Sequence, residues 1–176
     1  TAYEIPKRDW SSDVCSSDLG AMKIGLFTSC IGALGVKDMV AKVRALGRVE
    51  AIELGTGGWS GHAHVDLDLL LSDPGSARDY KRMIADAGLT ISALSCHGNV
   101  LHPDEDQAKA ADELFKKTIR LAERLDVPVV TNCSGCPGDR DGASHPNWIA
   151  TPWPPESLEV LEWQWQEKAV PYWSDV

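Results

Sequence analysis

Residues 90–133, TISALSCHGNVLHPDEDQAKAADELFKKTIRLAERLDVPVVTNC, establish the fold class because a strand pattern, a long helix pattern and a second strand pattern follow one another. The helix is predicted to begin after Asp104, a residue suited to cap it, with Gln107 three residues further on. Its apolar stripe comprises Ala108, Ala111, Phe115, Ile119, Ala122 and Leu125. The predicted strands that flank it are residues 90–95 and 128–133. This order defines a βαβ unit, in which both strands lie parallel in one sheet.

The rest of the chain repeats this alternation of strand and helix. Further strands are predicted at residues 23–29 and 51–54, and further helices at residues 36–46, at residues 76–87 and from Glu156 onward. Four successive βα units imply a parallel sheet, either open and doubly wound or closed into a barrel. A complete eight-unit barrel takes about 250 residues. In the second case, the α/β chain consists of the first four βα units of a (β/α)8 TIM barrel, truncated.

The beginning of the chain does not follow this pattern. Residues 9–19, DWSSDVCSSDL, show neither strand nor helix periodicity and look like the in-frame translation of a common sequencing adapter. Residues 1–5 look like the outer part of the same adapter. We therefore expect residues 1–21 to be a disordered, non-native leader and residues 22–176 to be the partial barrel.

The composition disfavours several classes of partner. The chain carries a formal net charge of −9, which is unlike a protein that binds the phosphate backbone of nucleic acid. No apolar run is long enough to span a bilayer. The cysteines outside the leader, Cys30, Cys96, Cys133 and Cys136, indicate reduced thiols, because no signal peptide accompanies them. We therefore expect a cytoplasmic protein with neither a nucleic-acid nor a membrane partner.

Two polar residues are expected at the carboxyl ends of strands, where barrel enzymes place their working residues. In the second strand, alternation sets Glu53 opposite Ile52 and Leu54, so its carboxylate points into the barrel if these two aliphatic residues face the helices. A buried carboxylate needs a partner, a metal or a ligand, and a structural salt bridge is the alternative. His97 ends the third strand on the face of Ser95 and could donate to a substrate hydroxyl or transfer a proton, or could be simply hydrogen-bonded. Glu53 and His97 are the candidate catalytic residues.

Three further residues are candidates for substrate binding. Asn99 follows His97 in the loop after the third strand. Trp59 lies in the glycine-rich loop 55–61, and Trp148 lies in the long loop after the fourth strand. Aromatic side chains often form the walls of sugar sites, although packing within a core or a lid is the alternative.

Two motifs have the spacing of metal or redox sites but lack the neighbouring ligands or helix that such sites require. His62 and His64 could bind a metal from an extended segment, yet no second ligand pair is nearby, so both are interpreted as surface histidines. Cys133 and Cys136 have CxxC spacing without a following helix or a second pair, which disfavours zinc and redox chemistry.

Five segments together resemble the sugar phosphate isomerase/epimerase family, the xylose-isomerase-like TIM barrels. They are KIGLFTS, AIELGTGG, ISALSCHGN with LHP, NCSGCPG, and the run HPNW…PWP…EWQWQEKAVPYW, spread in this order over residues 22–176. The resemblance implies a barrel that binds a sugar or sugar phosphate and a divalent metal (Mn, Zn or Mg). It also implies proton transfer at a carbon adjacent to a carbonyl, with the metal polarising the substrate oxygens.

The same resemblance implies that the site is incomplete in this chain. The family's metal ligands, typically Glu, Asp, His and Glu, come from the later strands, so none is assigned within residues 22–176 and no bound metal is expected there. The chain is therefore expected to be an inactive fragment of a parent isomerase or epimerase. Two alternatives stay open. One is an endonuclease acting at abasic DNA sites, which the acidic charge disfavours. The other is a non-catalytic half-barrel for binding or assembly, which would form oligomers.

Overall fold

Four parallel strands form one sheet in the order of the sequence. The computed structural model describes residues 22–176, and the interpretation of residues 1–21 as a leader lies outside the described part. The strands are β1 (Ile24–Phe27), β2 (Val49–Gly55), β3 (Thr90–Ser95) and β4 (Val130–Thr131). Each strand pairs in parallel with the next, in the order β1-β2-β3-β4. This sheet confirms the predicted α/β class and the four successive βα units.

The helices connect the strands and continue beyond the last one. They are α1 (Val36–Ala45), α2 (Leu67–Ser72), α3 (Pro74–Asp86), α4 (Glu105–Leu125), α5 (Ser157–Trp163) and α6 (Val170–Asp175), with a π-helical segment, Gln164–Ala169, between α5 and α6. Asp104 caps α4 as predicted, since its carboxylate accepts a hydrogen bond from the Gln107 N–H at 3.1 Å. None of these described helices combines the length and apolarity that crossing a membrane requires.

The fourth strand is shorter than predicted. The sequence predicts a strand over residues 128–133, but only Val130–Thr131 pairs with β3. Pro128 has no N–H to donate to a ladder. Leu94 and Cys96 donate to the carbonyls of Val129 and Thr131, but the ladder ends there because the Gly98 N–H donates to the Asn132 side chain at 3.0 Å.

One helix was not predicted, and the first strand ends early. Asp66 caps α2 by accepting from the Leu69 N–H at 3.0 Å, but this helix has only six residues and shows little periodicity. Asp73 then caps α3, in which Pro74 takes a position that needs no N–H donor. The first strand stops at Phe27 because residues 28–31 form a 3-10 turn.

The hydrophobic core lies between the outer face of the sheet and the helices. Ile52 and Leu54 of β2 and Leu94 of β3 are fully buried there. The helices contribute, among others, Met39, Val43, Leu121 and Leu125. Because side chains alternate along a strand, burying this face leaves the residues between them on the inner face of the sheet.

Candidate active site at the strand ends

The inner face of the sheet carries a row of three polar side chains from successive strands: Glu53 on β2, Ser95 on β3 and Thr131 on β4. The Glu53 Oε1 oxygen accepts a short hydrogen bond from the Ser95 hydroxyl and lies 3.2 Å from the Thr131 Oγ1. The two hydroxyl oxygens are 2.6 Å apart. The alternation predicted for Glu53 is confirmed, because its neighbours Ile52 and Leu54 are buried on the opposite face.

The Ser95 and Thr131 hydroxyls hold this carboxylate. Their two protons serve the three contacts between Glu53, Ser95 and Thr131. Each hydroxyl has one proton to donate. Ser95 donates to Glu53, so Thr131 donates either to Ser95 or to Glu53. Such a chain polarises its members and fixes the direction in which the carboxylate points. Within residues 22–176 Glu53 forms no salt bridge, so neutral hydroxyls take the place of the cationic partner considered above.

His97 lies just beyond Ser95, with its backbone fixed and its ring half-buried. Its N–H donates to the Ser60 Oγ at 3.0 Å, and its carbonyl accepts from the Trp59 N–H at 2.8 Å. The imidazole makes an edge contact with the Phe27 ring, with centroids 6.4 Å apart. Phe27 is also the register partner of Glu53. Among the described residues no group hydrogen-bonds to either ring nitrogen of His97.

The glycine-rich loop after β2 is pressed against the end of β3. Gly58 has φ +62°, and a Cβ placed on it would lie 2.2 Å from the His97 carbonyl oxygen. Only glycine permits both this backbone conformation and this approach. The loop exposes the Trp59 side chain, which is 74% accessible, beside the end of β3. The loop is thus a fixed part of the strand-end surface.

Asn99 and Asn132 hold the neighbouring loops together. The Asn99 side chain donates to the Cys136 carbonyl at 2.8 Å and accepts from the Cys136 N–H at 2.7 Å. Substrate contact by Asn99 stays a prediction. Asn132 was missed by the sequence reasoning because the predicted strand 128–133 included it, whereas β4 ends at Thr131. Its Oδ1 accepts from the Gly98 and Cys133 N–H groups, and its Nδ2 is buried without a partner in the described part of the chain.

Trp148 packs within the loop that follows β4. Its ring meets that of Trp165 edge to face, with centroids 5.1 Å apart. The fully buried Gln164 fixes this loop by accepting from the Ile149 N–H at 3.0 Å and donating to the Gly138 carbonyl at 3.0 Å. Trp148 therefore belongs to a packed aromatic pair, and its predicted contact with substrate stays a prediction.

The interpretation of His64 as a surface residue is wrong. The turn at Gly61 (φ +68°) folds the following residues inward, so that His64 Nδ1 lies 3.1 Å from the Thr28 Oγ1. The residue is only 6% exposed, and burial lowers the pKa of its imidazole. Its Nε2 finds no hydrogen-bond partner in residues 22–176. His62, in contrast, is exposed as predicted.

The thiols and the acidic side chains do not assemble into a metal centre in the described residues. No group of three or more His, Cys, Asp or Glu side chains is close enough there to hold an ion. Cys30, Cys96, Cys133 and Cys136 are all free thiols. Burial raises the pKa of Cys96 to about 11 and also raises the pKa of Cys136, so neither is an activated thiolate.

A large cavity lies beside the loop after β2 and not over the inner face of the sheet. It has a volume of about 810 Å³ and lies between the loop after β2 and helix α4, where Gly57, His62, Leu114 and Lys117 line it. It is an open groove on the helical side of the sheet. We place the candidate site at Glu53 and His97 instead, because parallel barrels carry their chemistry at the carboxyl ends of the strands.

The sheet order, the helical crossovers and the polar inner face are those of a TIM-barrel protein. Residues 40–167 match the family described as xylose isomerase-like TIM barrel, and the chain belongs to that family. This match confirms the resemblance found in the sequence.

Similar proteins include a curated relative and a solved structure. The uncharacterized protein YfiH of Bacillus subtilis (strain 168) is 35% identical over 154 residues, which cover 86% of this chain and 49% of that protein. The chain thus spans about half the length of this curated relative. A solved D-psicose 3-epimerase, in the presence of D-fructose, aligns with 63% of this chain and 37% of its own, at 16% identity and a TM-score of 0.45.

Proposed function

We propose that this chain is part of a sugar or sugar phosphate isomerase/epimerase, a protein that transfers a proton at a carbon adjacent to a carbonyl. Membership of the xylose isomerase-like family supports this class. The observation that carries the proposal is the Glu53 carboxylate, held in one direction by Ser95 and Thr131 on the inner face of the sheet. The net charge of −9 disfavours the alternative of an endonuclease acting on DNA.

Each candidate residue has a distinct role in this proposal. The oriented Glu53 carboxylate accepts a hydrogen bond from a substrate hydroxyl or a proton from it. His97, whose ring nitrogens face no described partner, donates to a substrate oxygen. The exposed indole of Trp59 offers an apolar surface to the C–H face of a sugar ring. Asn99 and Trp148 act by holding the surrounding loops and by limited contact with the substrate.

The described residues do not fit a metal site, so no step of the reaction is assigned to a metal here. Glu53 has hydroxyl neighbours, and no second or third ligand accompanies it. We propose that the divalent ion of the parent enzyme (Mn, Zn or Mg) is held by residues outside 22–176. On that basis this chain alone binds sugars weakly and does not turn them over. We also propose a cytoplasmic location, which the free thiols support.

Two nuclear magnetic resonance measurements on the full chain test the proposal. Saturation transfer from protein to a panel of ketoses, aldoses and their phosphates reports binding, and deuterium uptake from D2O at the carbon next to the carbonyl reports proton transfer. We expect weak binding without deuterium uptake.

Variants locate the binding in this experiment. Glu53→Ala and His97→Ala should each abolish the saturation transfer that reports sugar binding. Glu50→Gln changes an exposed glutamate of the same strand and should preserve it. The absence of binding to every sugar tested, or binding indifferent to both alanine variants, would overturn the proposal.

A further inference from the structure

A buried histidine ties the loop after β2 to the end of β1. His64 is 6% exposed, and its Nδ1 lies 3.1 Å from the Thr28 Oγ1. The Thr28 hydroxyl donates to the Glu53 carbonyl at 3.2 Å, so this contact reaches the backbone of a candidate catalytic residue. The Ser29 hydroxyl, one residue further on, donates to the Ser60 carbonyl. The turn after β1 therefore holds the loop at two points.

The segment that carries this histidine has a glycine at one end and a helix cap at the other, and we call residues 61–66 the clasp. At Gly61 φ is +68°, and no described atom lies within 4 Å of the position that a Cβ would take. At the other end, the Asp66 carboxylate caps α2. Between them the Val65 N–H donates to the His62 carbonyl at 3.1 Å. The clasp is thus a turn of its own with an unobstructed glycine hinge.

The groups that face the His64 side chain are neutral. They are the Thr28 hydroxyl and the carbonyls of Ile31 and Leu34 in the connection from β1 to α1. On α3, the Tyr80 hydroxyl donates to the His64 carbonyl at 2.9 Å. Burial raises the pKa of this phenol, so it stays uncharged.

The charged and titratable groups nearby have other partners. The Asp66 carboxylate accepts from the Leu69 N–H at 3.0 Å, and Asp68 pairs with Lys117 at 2.8 Å. The Cys30 thiol is exposed and donates to the Phe27 carbonyl. None of these groups is among the causes that shift the pKa of His64.

A proton added to His64 is therefore buried without a counter-charge, which is costly. Residues 22–176 themselves enclose its Nε2, and no hydrogen-bond partner for that nitrogen lies among them. Burial lowers the pKa of the imidazole more than the two carbonyls raise it. A cavity of about 90 Å³ adjoins His64 beside Ser29 and Ser60, so a small displacement of the clasp admits water to the ring.

We propose that the clasp is a pH-dependent switch: neutral His64 holds it against the turn after β1, and protonation of His64 releases it. The clasp is fully docked above pH 6.5, the ordinary pKa of histidine, and opens as the pH falls from there through the lowered pKa of the docked residue. Release frees the glycine-rich loop, which carries the exposed Trp59 and contacts the backbone of His97. Only the consequence for sugar binding, which weakens on acidification, rests on the proposed function.

Amide hydrogen exchange on the full chain, followed by nuclear magnetic resonance at about pH 7.5 and about pH 5, tests the switch. Each rate is divided by that of an unstructured amide at the same pH. The probes are the Trp59 and Val65 amides, and the amide of the fully buried Leu121 in α4 is the reference. We expect both probes to exchange faster than Leu121 and to lose protection on acidification. The loss should be at most about tenfold per pH unit, the limit for one proton.

Three variants locate the titrating group. His64→Asn removes the ionisable ring but keeps an amide that can donate to Thr28, and the pH dependence of the probes should disappear. His62→Asn, at an exposed position two residues away, is the matched control and should keep it. Thr28→Val removes the hydroxyl that His64 contacts, so the clasp should open at a higher pH than in the parent chain.

Three results would overturn the proposal: probe rates independent of pH, a pH dependence that survives His64→Asn, or probe rates equal to that of Leu121 at both pH values. The last result would mean that only global unfolding exposes the clasp. Thr28→Val keeps the test decisive if His64→Asn does not fold, because an unchanged opening pH in that variant contradicts the proposal. No sugar is present in these measurements, so they succeed or fail separately from the proposed function.

Discussion

The backbone carbonyl of His97 accepts a hydrogen bond from the Trp59 N–H at 2.8 Å, so the end of β3 and the glycine-rich loop after β2 form one surface. The Ser60 hydroxyl strengthens this junction by accepting from the His97 N–H at 3.0 Å. A candidate catalytic ring and an exposed indole are therefore held in a fixed relation by backbone contacts.

Gly58→Ala should break this junction. The added Cβ would lie 2.2 Å from the His97 carbonyl oxygen, and φ at this position is +62°. We expect a loss of about 2–4 kcal/mol in the free energy of unfolding, measured with a denaturant. Gly61→Ala is the matched control, because Gly61 has φ +68° in the same loop but nothing within 4 Å of the position that a Cβ would take. It should cost only about 1 kcal/mol, and equal losses in the two variants would contradict the clash.

Ser95→Ala should free the Glu53 carboxylate. It removes a fully buried hydroxyl that donates to the Oε1 oxygen. We expect a loss of about 1 kcal/mol, with a coupling energy of about 0.5–1.5 kcal/mol in a double-mutant cycle with Glu53→Ala. Ser92→Ala, in the same strand, removes a hydroxyl bonded to the Ile52 carbonyl and serves as the control. The double-mutant cycle of Ser92→Ala with Glu53→Ala should show no coupling energy.

Acid should destabilise the protein in part through His64. Burial lowers the pKa of this imidazole from 6.5, so the folded state disfavours its proton relative to the unfolded chain. The stability that neutral His64 contributes is therefore complete above pH 6.5 and is lost as the pH falls from there through the folded pKa. In unfolding titrations between about pH 7 and pH 5, His64→Asn should flatten the decline of stability, whereas His62→Asn, at an exposed site, should not. Identical slopes in both variants would refute this origin.

The thiols should react with disulfide reagents at very different rates. Cys30 is exposed, whereas Cys96 is fully buried and has a pKa raised to about 11, which leaves little thiolate at about pH 8. In a Cys15→Ser background, we expect Cys30 to react first and Cys96 only after denaturant is added. Mass spectrometry of the labelled peptides identifies the order. Labelling of Cys96 in the native protein at the rate of Cys30 would contradict its burial.

The sequence predicted best those elements whose signals are local. Helix α4 was located because its cap, Asp104, and its apolar stripe lie within one stretch, and β3 because its alternation does. The end of β4 could not be located, since it depends on Asn132 accepting a hydrogen bond from Gly98, 34 residues away.

In the candidate site, too, features with a local signal were predicted and features that depend on distant residues were not. Alternation along one strand predicted that Glu53 faces inward, but its partners Ser95 and Thr131 lie 42 and 78 residues further along the chain. The burial of His64 was missed because it depends on contact with Thr28, 36 residues earlier. Contacts over such distances follow from the register of the sheet, which no local pattern contains.

The row of Glu53, Ser95 and Thr131 has a consequence for the electric field at the mouth. Two neutral hydroxyls orient the carboxylate but cancel none of its charge, so the potential beside it stays negative. A phosphorylated sugar in this site would therefore point its phosphate away from β2 and its hydroxylated end toward Glu53. The orientation of the substrate would thus be decided by repulsion at one end as much as by hydrogen bonding at the other.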